Sequence, residues 1–214
     1  MRLFTVFFAL LLVILPSAAQ SDPDTRPALL HVLSAAPDTP QIRDAGIIAS
    51  FVDYQAALAL RGIDVPASFA DIQNLNPDAQ TALLWALPAA GPQSLSRSFM
   101  LLGDMPDVMG FDFFDITQAA EIGAPPANAV ILSGEFDSQA MIDAHLARGY
   151  TEQPDDFGVM LCGADGCESG DKSDFANRLE SNPFGGNLGQ SQPLTVNDSY
   201  LLNSRSLPLL TEMS

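Results

Sequence analysis

Between Ala129 and Leu161 the residue order leaves little freedom of local structure. Val130-Ile131-Leu132 is a short apolar run of the kind that fills a buried strand. Gly134-Glu135-Phe136-Asp137 turns the chain, and Asp137 or Ser138 supplies the side-chain oxygen that caps a helix. That helix is predicted to run to about Arg148, with Ile142 and Leu146 one turn apart on one face. Gly149 ends it, and Tyr150 sits where a Schellman motif places its apolar contact. Gly158 to Leu161 reads as the next strand. Residues 168–192 are polar and rich in Gly, Asn and Ser, a long surface excursion. Leu194–Val196 and Tyr200–Leu202 then form a hairpin around Asn197-Asp198. Strand, helix, strand, loop and hairpin together predict an α+β fold: an antiparallel sheet with helices packed on one face.

Upstream signals are weaker. Ile47 to Val52 reads as a short strand and Tyr54 to Leu60 as a helix closed by Gly62. Asn76-Pro77-Asp78 places a cap, a first-position proline and an acid in sequence, predicting a helix from Pro77 to about Leu87. Leu84 and Trp85 are assigned to its apolar side. Ser94 to Gly110 reads as a short helix with a loop. Phe111 to Asp115 reads as a strand, and Asp115 with Gln118 resembles a capping box for a helix over Thr117–Ile122, before Pro125-Pro126. Ser206 to Ser214 begins like a helix with Pro208 in its first turn and no glycine stop signal. Either it docks on the sheet and ends, or the chain is a fragment of a longer one.

The first segment bears on compartment. Arg2 precedes an apolar run from Phe4 to Leu15, Pro16 breaks it, and Ser17-Ala18-Ala19 offers small residues for cleavage. This is the pattern of a signal peptide, with too short a run for a membrane span. Four stretches follow: 1–19 signal peptide; 20–45 a Pro/Asp-rich leader; 46–127 the helix-rich first part of the α+β body; 128–214 the strand-helix-strand-loop-hairpin lobe. No later segment is long and apolar enough to span a bilayer. The expected location is secreted, periplasmic or cell surface.

Charge narrows the partners. The chain has 9 Lys+Arg against 26 Asp+Glu, a formal charge of −17, and one lysine, Lys172. Nucleic acid and anionic membranes both require clustered basic residues, so neither is an expected partner. Hydrophobic residues make up 47% of the chain, enough to build a core rather than an acidic disordered tail.

Residues 110–204 contain the words Gly110-Phe-Asp-Phe-Phe-Asp115, Leu132-Ser-Gly-Glu-Phe-Asp137, Gly149-Tyr150, CGADGC and Asn182-Pro-Phe-Gly-Gly186. In these the chain resembles a set of uncharacterised exported bacterial α+β proteins of the cell envelope. The resemblance implies location and architecture, and no site residues.

Cys162 and Cys167 bracket the turn-rich Gly163-Ala164-Asp165-Gly166. In an oxidising compartment a local disulfide is the first reading; a redox pair and half of a metal site are the others. Asp165, Glu168, Asp171 and Asp174 follow among glycines, and could offer calcium its oxygen ligands, although their spacing is not that of an EF-hand. Nucleophilic chemistry is poorly supplied: there is no G-x-S-x-G, no H-E-x-x-H, and only His31 and His145 as imidazoles. Glu135 with Asp137, and Asp112 with Asp115, are carboxylate pairs of the sort glycosidases use. Capping accounts for Asp115 and Asp137, and solvation for Asp112. Asn182 to Gly189 reads as a turn that anchors Phe184 in the core.

The expectation is thus an exported, non-catalytic binding or structural protein of the cell envelope, meeting an unknown protein or carbohydrate ligand. A secreted hydrolase using paired carboxylates and a calcium-binding surface module are the alternatives.

Overall fold

The computed structural model describes residues 49–87, 91–124 and 127–213, together with Pro40 and Arg43. Residues 1–19, read above as a signal peptide, most of the leader including His31, Ile47-Ile48 and Pro125-Pro126 lie outside the described residues. Seven strands form one open sheet: β1 (Ala49–Asp53), β2 (Ile116–Ala124), β3 (Ala127–Gly134), β4 (Thr151–Pro154), β5 (Val159–Cys162), β6 (Leu194–Val196) and β7 (Tyr200–Ser204). Their order is β1-β2-β3-β7-β6-β5-β4, and every neighbouring pair is antiparallel. The final hairpin therefore inserts between β3 and β5, with Ile131 opposite Leu202 and Leu161 opposite Leu194. The class is α+β, as the strand and helix signals predict.

Alternation along the strands supplies two apolar faces. Val130, Leu132, Leu161, Leu194, Val196 and Leu201 point to the larger core. The helices α1 (Tyr54–Ala59), α2 (Pro77–Ala86), α3 (Gln93–Arg97), α4 (Met105–Met109) and α5 (Ser138–Ala147) contribute to the same described fold. Leu58, Leu83, Leu95, Met105, Met109, Met141 and Ile142 bring them into that core. Ala129, Ile131, Met160, Cys162 and Leu202 point the other way. They meet Leu209, Leu210 and Met213 of α6 (Leu207–Met213). The terminal helix thus docks on the sheet, and it does so on the face opposite the other helices. The parts before and after residue 128 share one sheet and one large core.

Two stretches depart from the sequence reading. Phe111–Asp115 is no strand: Phe113–Asp115 is a single 3-10 turn. Asp112 accepts from Phe114 N at 3.0 Å, and Asp115 accepts from Asp112 N at 2.7 Å. The capping box is real but lies three residues earlier than Asp115–Gln118. Thr117–Ile122 is strand β2 rather than helix. Its Ala119 and Ala120 are small enough to be buried on opposite faces, and its backbone bonds to β1 and β3 on both sides. Those ladders outweigh the local helix preference of Ala and Gln. Leu83 of α2 and Leu87 at its C-cap face the core, whereas Trp85 is 79% exposed and Leu84 is also exposed. One residue of rotation separates the two sides, and the burial of Leu83 decides it.

Candidate functional site

The end of α5 builds the first wall of the site. Asp137 caps the helix by accepting from Ala140 N at 3.0 Å. Gly149 N donates to Leu146 O at 2.9 Å and Tyr150 N to His145 O at 3.1 Å, the paired bonds of a Schellman motif. This closure fixes Arg148 and Tyr150 just beyond the helix. The guanidinium of Arg148 lies 5.2 Å from the centre of the Tyr150 ring. The Tyr150 ring meets His145 edge-on at 5.0 Å, and its hydroxyl shares a hydrogen bond with the Ser191 side chain.

The other walls come from the residues after β5. Cys162 and Cys167 stand at disulfide distance, with Cα atoms 4.6 Å apart. Beyond them, Gln190 Nε2 donates to Asp171 O at 2.7 Å, holding the two ends of the excursion together. Asp174 caps the turn Phe175–Asn177 through Ala176 N at 3.1 Å. Phe184 is buried in the larger core, as its glycine-rich setting suggests, and Asn182 Oδ1 accepts from its N–H at 2.9 Å. These walls border an open cavity of about 840 Å³. A second cavity, beside α3 and β7, measures only about 110 Å³.

The lining of the large cavity is mostly polar. Arg148, Lys172 and Arg178 bring positive charge, with Asp165 and Asp174 as acids. Hydroxyls come from Ser169, Ser173 and Ser191, and amides from Asn177, Asn182 and Gln190. Burial lowers the pKa of Arg148 and raises that of Tyr150, while Arg148 opposes the shift at Tyr150. The cavity can hold a polar small molecule: it falls inside the roughly 300–1,000 Å³ range of ligand sites.

The carboxylates singled out from sequence are occupied differently. Asp112 is not simply solvated: both its oxygens accept from Phe69 N, each at 2.9 Å. The pKa of Asp115 is raised from its ordinary value, chiefly by burial. Glu135 and Asp137 are exposed. None of these four lines the cavity. Of the acids considered for calcium, Asp165 and Asp174 line it, and Glu168 and Asp171 do not. Among the described residues, no three His, Cys, Asp or Glu side chains gather as a metal site. His145 is a buried residue of α5, its Nδ1 2.7 Å from Met141 O. Arg148, Tyr150, Lys172 and Arg178 were not legible as site residues. The available signal was charge: three of nine basic residues fall within 148–178 of a very acidic chain.

Two expectations follow for the walls. Replacing both Cys162 and Cys167 with Ser is expected to cost about 2 kcal/mol, the chain-entropy value for so short a loop, measured by urea denaturation. Gly189 has a φ of +67°, and a Cβ there would run into the Asp174 carbonyl. Gly189→Ala should strain this wall by about 1–3 kcal/mol. Limited proteolysis should then cut within 163–191 faster, with the sheet still intact.

Compared with protein families, with curated proteins and with solved structures, the chain matches none. Among the described residues no helix is long and apolar enough to cross a membrane.

Proposed function

We propose that this is an exported, non-catalytic binding module of the cell envelope, whose ligand site is the cavity beneath the cysteine loop. The observation that carries this reading is the cavity itself. About 840 Å³ is walled by the end of α5, the Cys162–Cys167 loop and the excursion to Ser191. A local crosslink beside a binding loop reduces the entropy lost when a ligand orders it. The signal-peptide pattern of residues 1–19 and the resemblance of residues 110–204 to exported bacterial proteins support the location. The carboxylates that a hydrolase would employ are spent on backbone N–H groups at Asp112, Asp115 and Asp137.

The test has two parts. Expression of the full chain in a bacterial host should release a product outside the cytoplasm that begins at Gln20; cytoplasmic retention with residues 1–19 intact would overturn export. A screen of glycan and ester substrates should show no turnover. Turnover abolished by Glu135→Gln or Asp137→Asn would overturn the non-catalytic reading in favour of the hydrolase.

A further inference from the structure

Resting on that reading of the cavity, we propose that its ligand is an uncharged saccharide, held by the side-chain amide of Asn182 and stacked at the rim on Phe175. Asn182 lines the cavity although it is only 3% exposed. Its Oδ1 accepts from Phe184 N at 2.9 Å, which fixes the amide and leaves Nδ2 as its unspent end. Nδ2 makes no hydrogen bond among the described residues, and it is not sealed from solvent as the Arg148 Nε is. The backbone holds the residue in place: Asn182 N donates to Leu179 O at 2.9 Å, and Gly186 N to Asn182 O at 3.2 Å. A nearly buried amide with its N–H groups unspent and its orientation set in advance calls for a ligand oxygen.

The charges around the cavity favour neither sign of ligand. Arg148 offers no fork to it: Nε is enclosed, and Nη2 reaches the Met109 sulfur at 4.0 Å. Lys172 is exposed, and its Nζ donates to Ser169 Oγ at 2.9 Å; the Arg178 guanidinium lies 4.7 Å from the centre of the Phe175 ring. Asp165 and Asp174 stand among these bases, in a chain of formal charge −17. An anion meets the acids and the field of the whole chain, and a cation meets the bases. An uncharged ligand meets neither penalty. Among the described residues Leu179 is the only large aliphatic side chain in the lining, so the apolar recesses that seat alternate side chains of a peptide strand are missing. Ser169, Ser173, Ser191 and Asn177 instead supply side chains that both donate and accept, as sugar hydroxyls do. Phe175 completes the match. Its chain neighbours Asp174 and Ala176 line the cavity, Arg178 covers one face of its ring, and 60% of the residue stays exposed to the C–H face of a pyranose.

Isothermal titration calorimetry of the protein from the full chain tests this, with the neutral trisaccharides maltotriose and cellotriose as probes. Galactose, galacturonate and N-acetyl-trialanine amide serve as competitors. At least one trisaccharide should bind one to one, the tripeptide should not displace it, and galacturonate should compete no better than galactose. Asn182→Asp keeps an oxygen for Phe184 N and removes the amide donor; it should weaken the trisaccharide about tenfold. Phe175→Ala, at an exposed ring, provides a second reading that does not depend on the buried turn: weakening of about two- to tenfold, with melting temperature unchanged. Tighter binding of galacturonate than of galactose, or displacement by the tripeptide, would overturn the uncharged saccharide and leave the cavity as a ligand site. Wild-type affinity in both variants would overturn the assigned contacts. Binding of neither trisaccharide would overturn the proposal, and binding of no probe at all would overturn the reading of the cavity with it.

Discussion

Phe113→Ala is expected to destabilise the protein by about 3–5 kcal/mol. Phe113 is 1% exposed and sits at the meeting point of four segments. Its ring contacts Tyr54 at 4.9 Å, Phe114 at 5.4 Å, Phe99 at 6.3 Å and Phe69 at 6.4 Å, all edge-on. Edge-on rings add electrostatic attraction to the burial, because the positive edge of one meets the negative face of another. Truncation removes those contacts together and leaves a cavity that α1, α4 and the surrounding 3-10 turns can fill only in part. At about 2–4 °C per kcal/mol for a chain of this size, the melting temperature should fall by about 10 °C. Phe175→Ala is the control: that ring is 60% exposed and should cost less than about 0.5 kcal/mol. Equal losses for the two variants would contradict the placement of the aromatic core.

Acid should destabilise the native state through His145. This imidazole is fully buried, and burial, aided by the neighbouring Arg148 charge, lowers its pKa from 6.5 to about 3; the bond with Met141 O opposes the shift. Above pH 6.5 the ring is neutral in both states and contributes no pH dependence. Below 6.5 the unfolded chain takes up a proton that the native state refuses until about pH 3. Stability is therefore lost at about 1.4 kcal/mol per pH unit across that window, about 5 kcal/mol in all. The carboxylates add their own pH dependence, so the comparison is with His145→Gln. Between pH 7 and pH 5 the wild-type protein should lose about 2 kcal/mol more than the variant. Parallel stability curves would show that the imidazole is accessible to protons in the native state.

The parts of the fold that local chemistry determines were legible in the sequence. The α5 helix carries its own cap at Asp137 and its own stop at Gly149-Tyr150, and α2 carries Asn76 and Pro77; both formed where those residues put them. The hairpin of β6 and β7 follows from Asn197, whose side chain accepts from Ser199 N and Tyr200 N, each at 2.8 Å. Strand β2 was not legible, because nothing local makes Thr117–Ile122 extended; the pairing with β1 and β3 does. Strand β4 escaped notice for a different reason. It is an edge strand with all four residues exposed and Pro154 at its end, so it has no apolar alternation to display. The candidate site was the least legible. The cysteine loop and the buried Phe184 could be anticipated, but the cavity exists only because the end of α5 meets chain up to 43 residues further on, at Ser191. Asp112, Asp115, Asp137 and His145, which drew attention in the sequence, are engaged by backbone groups, whereas Arg148, Lys172 and Arg178 line the cavity.

The most direct test is an amide chemical-shift map of the isotope-labelled protein titrated in turn with neutral maltotriose and singly charged galacturonate. The account predicts shifts concentrated at Arg148–Tyr150, Gly163–Gly166, Lys172–Leu179 and Gly189–Ser191, with the β1 edge and the exposed Trp85 face of α2 unmoved. Shifts centred on Trp85 or on the sheet edge, or no shifts at saturating ligand, would contradict it.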